Sequence, residues 1–174
     1  MFLPPAGFTC SKHFEGYPCC HRQWQHSGHC HFVHGYSRSF TFWFAAKELD
    51  ICGFVVDFSS LRPLEKQLRD QFDHTFLVNQ DDPLLEQWRS LHAQGALDLR
   101  VMKNVGMENT AQLLWNWANE LLNERDLGRT CCWKVEAREN VSNEASFSSV
   151  LALFESSNSD ISAFSSTYYL SLLE

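Results

Sequence analysis

The stretch Tyr36–Phe44, YSRSFTFWF, sets Tyr36, Arg38, Phe40, Phe42 and Phe44 on alternate positions, with Ser37, Ser39, Thr41 and Trp43 between them. Alternation sustained over this length predicts a β-strand with one face buried. Phe8, Cys10 and Lys12 alternate with Thr9 and Ser11 in the same way, so a second strand opens the domain. Directly upstream of the first stretch, CHFVHGY (Cys30–Tyr36) reads as half of a metal site. Cys30 precedes His34 by four residues, and Tyr36 stands where a second imidazole would complete the motif. The segment joining the two strands, HFEGYPCCHRQWQHSGHCHFV, reads as a long loop whose density of His, Cys and Trp marks it as functional rather than disordered.

Further along, GFVVDFSSLRPLEKQLRDQF gives a short apolar strand and then a helix, with Ser59 or Ser60 as its cap and Pro63 in its first turn. Leu61, Leu64 and Leu68 recur at helical spacing. FDHTFLVNQDDP reads as a loop, and Pro83 starts a second helical stretch through Leu91. LDLRVM is a strand candidate, MENTAQLLWNWANELLNER is the clearest amphipathic helix, and CCWKVEA closes as a strand. From Ser148 the chain turns serine-rich, so residues 1–147 are expected to form one domain and 148–174 a C-terminal tail without assigned structure. The order of elements, without a glycine-rich phosphate loop or a repeat, predicts an α+β domain.

At 174 residues, with 44% hydrophobic content and 14 Phe, the chain is long enough for one real core. A net charge of −7 argues against nucleic acid or an anionic membrane as the main partner. The basic residues gather between His13 and Arg38, which places any anion site in the N-terminal third. Seven cysteines with no signal-like start predict a reducing, cytoplasmic setting in which thiols serve as ligands or nucleophiles. No apolar run approaches the roughly 20 residues of a membrane span. Cys52, Cys131 and Cys132 are expected to be small buried hydrophobes.

Four segments, in order, resemble the 6-pyruvoyltetrahydropterin synthase and 6-carboxytetrahydropterin synthase family. FTCSKH from Phe8 is similar to an F-x-A-x-H first strand, CHFVHGY to C-x-x-x-H-G-H, GFVVDFSSLRPL to G-x-V-x-D-F-x-x-L, and FDHTFLVN to D-H-x-x-L-N. WKVEARE resembles the last strand, which ends in a glutamate. The resemblance implies a tunnelling fold: a four-stranded antiparallel sheet with two main helices on one face, assembled into an oligomeric barrel. It further implies a homohexamer built from two trimers, with active sites between subunits.

The implied substrate is 7,8-dihydroneopterin triphosphate, and the implied reaction is a lyase-type conversion to a 6-substituted tetrahydropterin. The product would be that of a 6-carboxytetrahydropterin synthase, in queuosine precursor synthesis, or of the pyruvoyl-forming enzyme. By position Cys30 is the thiol that moves a proton. Asp73 and His74 match the Asp-His pair, in which the carboxylate fixes the tautomer of the imidazole. Glu136 matches the glutamate that offers two acceptors to the ring. Glu108 aligns with a helix-opening glutamate and suits either ligand contact or the helix dipole.

In that family three histidines bind Zn²⁺. Setting Phe8 on the first-strand Phe puts Lys12 at the first ligand position, leaves His34 at the second and Tyr36 at the third. Moving the assignment to His13 would turn the side chain to the other face unless a bulge intervenes. Two readings stay open. Zinc is held by His34 with loop donors among Cys19, Cys20, His21 and His29, or the Lys12 ammonium and the Tyr36 hydroxyl stand in for the metal. A purely structural zinc in the loop, whose removal would unfold or dissociate the protein, is a further possibility. The alternative to an enzyme is a non-catalytic paralogue that binds a pterin or purine.

Overall fold

A computed structural model of the chain describes residues 7–149 apart from Leu127. The first strand, β1, runs Phe8–His21, and β2, His34–Ala46, returns antiparallel along it. The part of the expected loop from His13 to His21 therefore belongs to β1. Alternation is lost there because of a bulge: Phe14 faces Phe40 but Tyr17 faces Arg38, so Glu15 and Gly16 together oppose Ser39. Gly16 takes φ +85°, which a side chain would resist. Before the bulge Cys10, Lys12 and Phe14 turn toward the core; after it Tyr17, Cys19 and His21 do.

Strand β3 (Thr75–Asn79) pairs parallel to the last residues of β1, and β4 (Leu99–Met102) pairs parallel to β3. On the other side β5 (Thr130–Arg138) lies antiparallel to β2, and β6 (Glu144–Ser148) lies antiparallel to β5. The order is β4-β3-β1-β2-β5-β6. The expected four-stranded antiparallel sheet is thus embedded in a mixed sheet of six strands. FDHTFLVN was expected as a loop, yet its TFLVN portion is β3, buried at every position. A strand covered on both faces shows an apolar run instead of alternation.

Helices α1 (Arg62–Phe72) and α3 (Met107–Asp126) cover one face. Leu64, Leu68 and Phe72 recur every four residues on α1 and are 1% exposed or less. They meet Phe40, Phe42 and Phe44 of β2, Val135 of β5 and Leu114 of α3 in one core. Asp57, rather than Ser59 or Ser60, caps the turn Phe58–Leu61 that leads into α1, accepting from Ser59 N at 2.8 Å. The third helix, α2 (Leu85–Ala93), covers the opposite face, where Trp88 packs edge-on to Phe76 at 4.9 Å between centroids. Cys131 and Cys132 are buried as expected, whereas Cys52 is exposed. Strand β6 ends at Ser148, and the tail from residue 150 onward lies outside the described residues. Among the described residues no helix is long and apolar enough to cross a membrane.

Candidate active site

The bulge carries His21 to the core-side end of β1, directly opposite His34 at the start of β2. Their ring centroids lie 4.3 Å apart. Gly35 permits this approach, since a Cβ there would stand 2.9 Å from the Cys19 carbonyl oxygen and 3.0 Å from Cys20 Sγ. His34 Nδ1 lies 2.8 Å from the Phe32 carbonyl, which fixes the proton on Nδ1 and leaves an acceptor lone pair on Nε2. His21 Nε2 lies 3.2 Å from Glu139 Oε1, and its buried Nδ1 has no partner among the described residues. Burial holds the His21 pKa below the usual imidazole value despite the Glu139 bond. The hydrogen bond from His21 in turn lowers the Glu139 pKa, with the charge of Arg38 adding to it.

Glu139 follows β5 directly, on the side of Val135 and Ala137, both fully buried. Arg38, also fully buried, sends Nη2 to within 3.7 Å of Glu139 Oε1 and 3.5 Å of the Val105 carbonyl. Its Nε and Nη1 have no partner among the described residues. Burial lowers its pKa and raises that of neighbouring Cys19 to about 11. Tyr36 completes the row on β2, its ring edge-on to His34 at 5.7 Å.

A second group lies around His74, which ends α1 in the left-handed region at φ 58°. Its backbone N–H donates to the Pro18 carbonyl at 2.7 Å, tying it to β1. His74 Nδ1 sits 2.6 Å from Asp73 Oδ1, so the carboxylate orients the ring and leaves Nε2 free for proton transfer. Tyr36, His74 and Cys20 line one cavity of about 700 Å³, walled by Phe76 and Trp88 with Asp98 among its lining residues. This cavity brings Tyr36 and His74 together.

Other expected residues lie elsewhere. Lys12 is inward-facing in the first half of β1, its Nζ 5.5 Å from the Phe14 ring centroid and 5.7 Å from that of Phe58. The histidine of β1 that pairs with His34 is His21, in YPCCH (Tyr17–His21), which has the F-x-A-x-H spacing with Tyr and Cys for Phe and Ala. His13 faces outward to Thr41 Oγ1 at 2.9 Å. Glu136 lies on the face opposite Val135 and Glu139, bonded to Lys134 Nζ at 2.5 Å. Cys30 and His29 share an exposed 3₁₀ turn, His29–His31. Glu108 is exposed in the first turn of α3. Glu139 and Arg38 escaped sequence reasoning; V-x-A-x-E, Val135 to Glu139, was the available signal for the former.

For a divalent ion the donor set is two imidazoles, each with one nitrogen held by an oxygen and the other presenting a lone pair, the arrangement that metal-ligating histidines adopt. His21 and His34 fit such an ion. Among the described residues no three His, Cys, Asp or Glu side chains converge as a metal-holding group.

The chain is similar to 6-carboxy-5,6,7,8-tetrahydropterin synthases, 33% identical over 79 residues to that of Rickettsia conorii and 32% over 108 residues to that of Rickettsia bellii. These alignments cover 45% and 62% of this chain. The chain spans 56% of the length of the first relative and 77% of the second. Among solved structures, an uncharacterized protein from Wolinella succinogenes shares the fold with TM-score 0.69 at 19% identity, covering 81% of this chain and 97% of its own. The 6-pyruvoyl tetrahydropterin synthase of Caenorhabditis elegans does so with TM-score 0.55 at 16% identity, covering 85% and 99%. The profile of one family matches residues 9–149, most of the chain, and the chain belongs to that family, the 6-pyruvoyl tetrahydropterin synthases.

Proposed function

We propose that this protein is a lyase-type pterin synthase converting 7,8-dihydroneopterin triphosphate to a 6-substituted tetrahydropterin, as a 6-carboxy- or 6-pyruvoyltetrahydropterin synthase does. The observation that carries this reading is the Asp73–His74 pair, held at a strained backbone position on a cavity of drug-like volume. With its Nδ1 proton directed to Asp73, His74 Nε2 removes a proton from the substrate side chain and later returns it. The Cys30 thiol is the second proton carrier. The side chain expels triphosphate and loses the two electrons that the ring gains, so no outside reductant enters. Glu139, on the same face as His21, takes the ring-recognising role expected of Glu136, its carboxylate accepting from ring N–H groups. The Tyr36 hydroxyl donates to a side-chain oxygen. Zinc held by His21 and His34 would supply Lewis-acid polarisation of the substrate's oxygens.

Homo-oligomerisation, of the hexameric kind the family uses, is part of the same reading. The Phe8–Phe14 half of β1 pairs only with β2 among the described residues, which leaves an open strand edge. A cytoplasmic setting also belongs to it, because the described cysteines are free thiols.

The test is turnover of 7,8-dihydroneopterin triphosphate by purified protein, with and without added zinc, alongside His74→Ala. Product formation by the wild type that falls at least a hundredfold in the variant is expected. Pterin binding without product under any metal condition would replace the enzyme with the non-catalytic paralogue. Elemental analysis of the wild type, His21→Ala and His34→Ala decides the metal: about one zinc per chain, lost in both variants, is the expected result.

A further inference from the structure

Three consecutive residues at the start of the loop that carries Cys30 fasten it to the end of β3 and to the segments after β3 and β4. Arg22 Nε donates to Asp82 Oδ2 at 2.8 Å, onto a carboxylate 0% exposed. Trp24 Nε1 donates to Asp81 Oδ1 at 3.2 Å. Gln23, between them, has all its polar groups engaged. Its backbone N–H donates to the Cys30 carbonyl at 2.8 Å and its carbonyl accepts from His26 N at 2.9 Å. Its Oε1 accepts from Asn79 Nδ2 at 2.6 Å, and its Nε2 donates to Asn104 Oδ1 at 3.2 Å.

The two asparagines carry the connection onward. Asn79, 3% exposed, accepts from Val105 N at 2.8 Å through Oδ1, and Asn104 Oδ1 accepts from Gly106 N at 2.8 Å. Val105 is the residue whose carbonyl meets Arg38, the counter-ion of Glu139. A continuous run of hydrogen bonds therefore joins the peptide of Cys30 to the backbone that frames Glu139. Only a carboxamide supplies this junction, because one end must accept from Asn79 while the other donates to Asn104. Glu would keep the first bond and lose the second; Met would lose both.

We propose that Gln23 is the positioning residue for Cys30, setting the thiol's turn in register with the ring-binding end of the site. This deepens the proposed function, since it rests on Cys30 moving a proton in that reaction. Gln23 touches no substrate atom, so its loss acts on the chemical step and spares recognition of the ring.

The experiment compares full-length Gln23→Met, Gln23→Glu and Trp24→Phe with the wild type. Three quantities are measured: kcat and KM for 7,8-dihydroneopterin triphosphate, the thermal midpoint, and iodoacetamide labelling of Cys30 followed by peptide mass. In Gln23→Met, kcat falls at least tenfold, KM stays within about twofold, and the Cys30 labelling rate changes at least threefold. Gln23→Glu, the gentler change should Met impair folding, gives shifts in the same direction but smaller. Trp24→Phe removes a neighbouring fastening alone and keeps kcat and Cys30 labelling at wild-type values. Unchanged kcat and labelling in both Gln23 variants would overturn the proposal, as would an equal loss in Trp24→Phe. If the wild type does not turn over the pterin, the proposed reaction fails, while the labelling rates still decide whether Gln23 sets the position of Cys30.

Discussion

Replacing Glu139 by Gln tests the buried cluster most directly, because it removes the nearest anion from Arg38 without changing shape. At 3.7 Å the pair's Coulomb attraction is about 4.5 kcal/mol for an effective dielectric of 20. Against it stands the desolvation of a guanidinium that is fully buried with two nitrogens unpartnered among the described residues. The pair is therefore close to balanced as a whole, yet Arg38 left without its anion is costly, whereas Glu139 keeps His21 as a partner. Glu139→Gln should lower the unfolding free energy by about 3 kcal/mol, the low end for an orphaned buried charge, because the carboxylate side chain keeps 14% exposure. Arg38→Met removes the costly guanidinium together with the attraction and should fall within about 1 kcal/mol of wild type. The double variant should recover most of the Glu139→Gln loss. Urea denaturation at pH 7 in reducing buffer, with unchanged m-values, reads all four corners of the cycle. Additive effects of the two substitutions would refute the reasoning, since they would show that Arg38 and Glu139 do not compensate one another.

Leu68→Ala, at a fully buried position of α1, should cost about 2–5 kcal/mol in the same urea assay. Gly35→Ala should strain the β1–β2 end, since its Cβ would stand 2.9 Å from a backbone oxygen, and elemental analysis should then show less of the zinc proposed for His21 and His34 than in the wild type. Alkylation of the native protein at pH 8, mapped by peptide mass, should label exposed Cys20, Cys30 and Cys52 and spare buried Cys19, Cys131 and Cys132. Burial raises the Cys131 thiol from 9.0 to about 11 and raises Cys132 as well. The unfolded chain releases these protons first, so their contribution is complete below about pH 9 and is lost as the pH rises toward 11. Cys131→Ala/Cys132→Ala should therefore flatten the alkaline limb of a stability-versus-pH curve.

Where a segment has one wet face, its sequence announced its structure: the alternation of Tyr36–Phe44 marks β2, and the spacing of Leu64 and Leu68 marks α1. β3 stayed hidden because both of its faces are covered, so that even Thr75 and Asn79 are buried and Phe76–Val78 reads as a short apolar run. The Asp73–His74 pair was legible because its geometry is local, one residue to the next. The partnership of His21, Arg38 and Glu139 spans three strands and rests on registers that residue spacing alone does not reveal. Lys12 was assigned to the first ligand position on the assumption of a regular strand from Phe8 onward. That Glu139 and not Glu136 turns inward likewise depends on the phase of β5, which residue spacing alone does not reveal.

The kink at Glu15–Gly16 gives β1 two halves with independent frames of reference. Lys12 and His21 are an odd number of residues apart and would point to opposite sides of an unbroken strand, yet both face inward. Removing one residue there would leave a single residue opposite Ser39 and restore an unbroken alternation, in which Phe14, Tyr17, Cys19 and His21 stay on the inward face. A deletion scan along β1 should thus be tolerant at Glu15–Gly16 and intolerant at Pro18–Cys20, where losing one residue would turn His21 outward. The same separation lets the N-terminal half drift in sequence, as a framing beam does, without retuning the histidine at its far end.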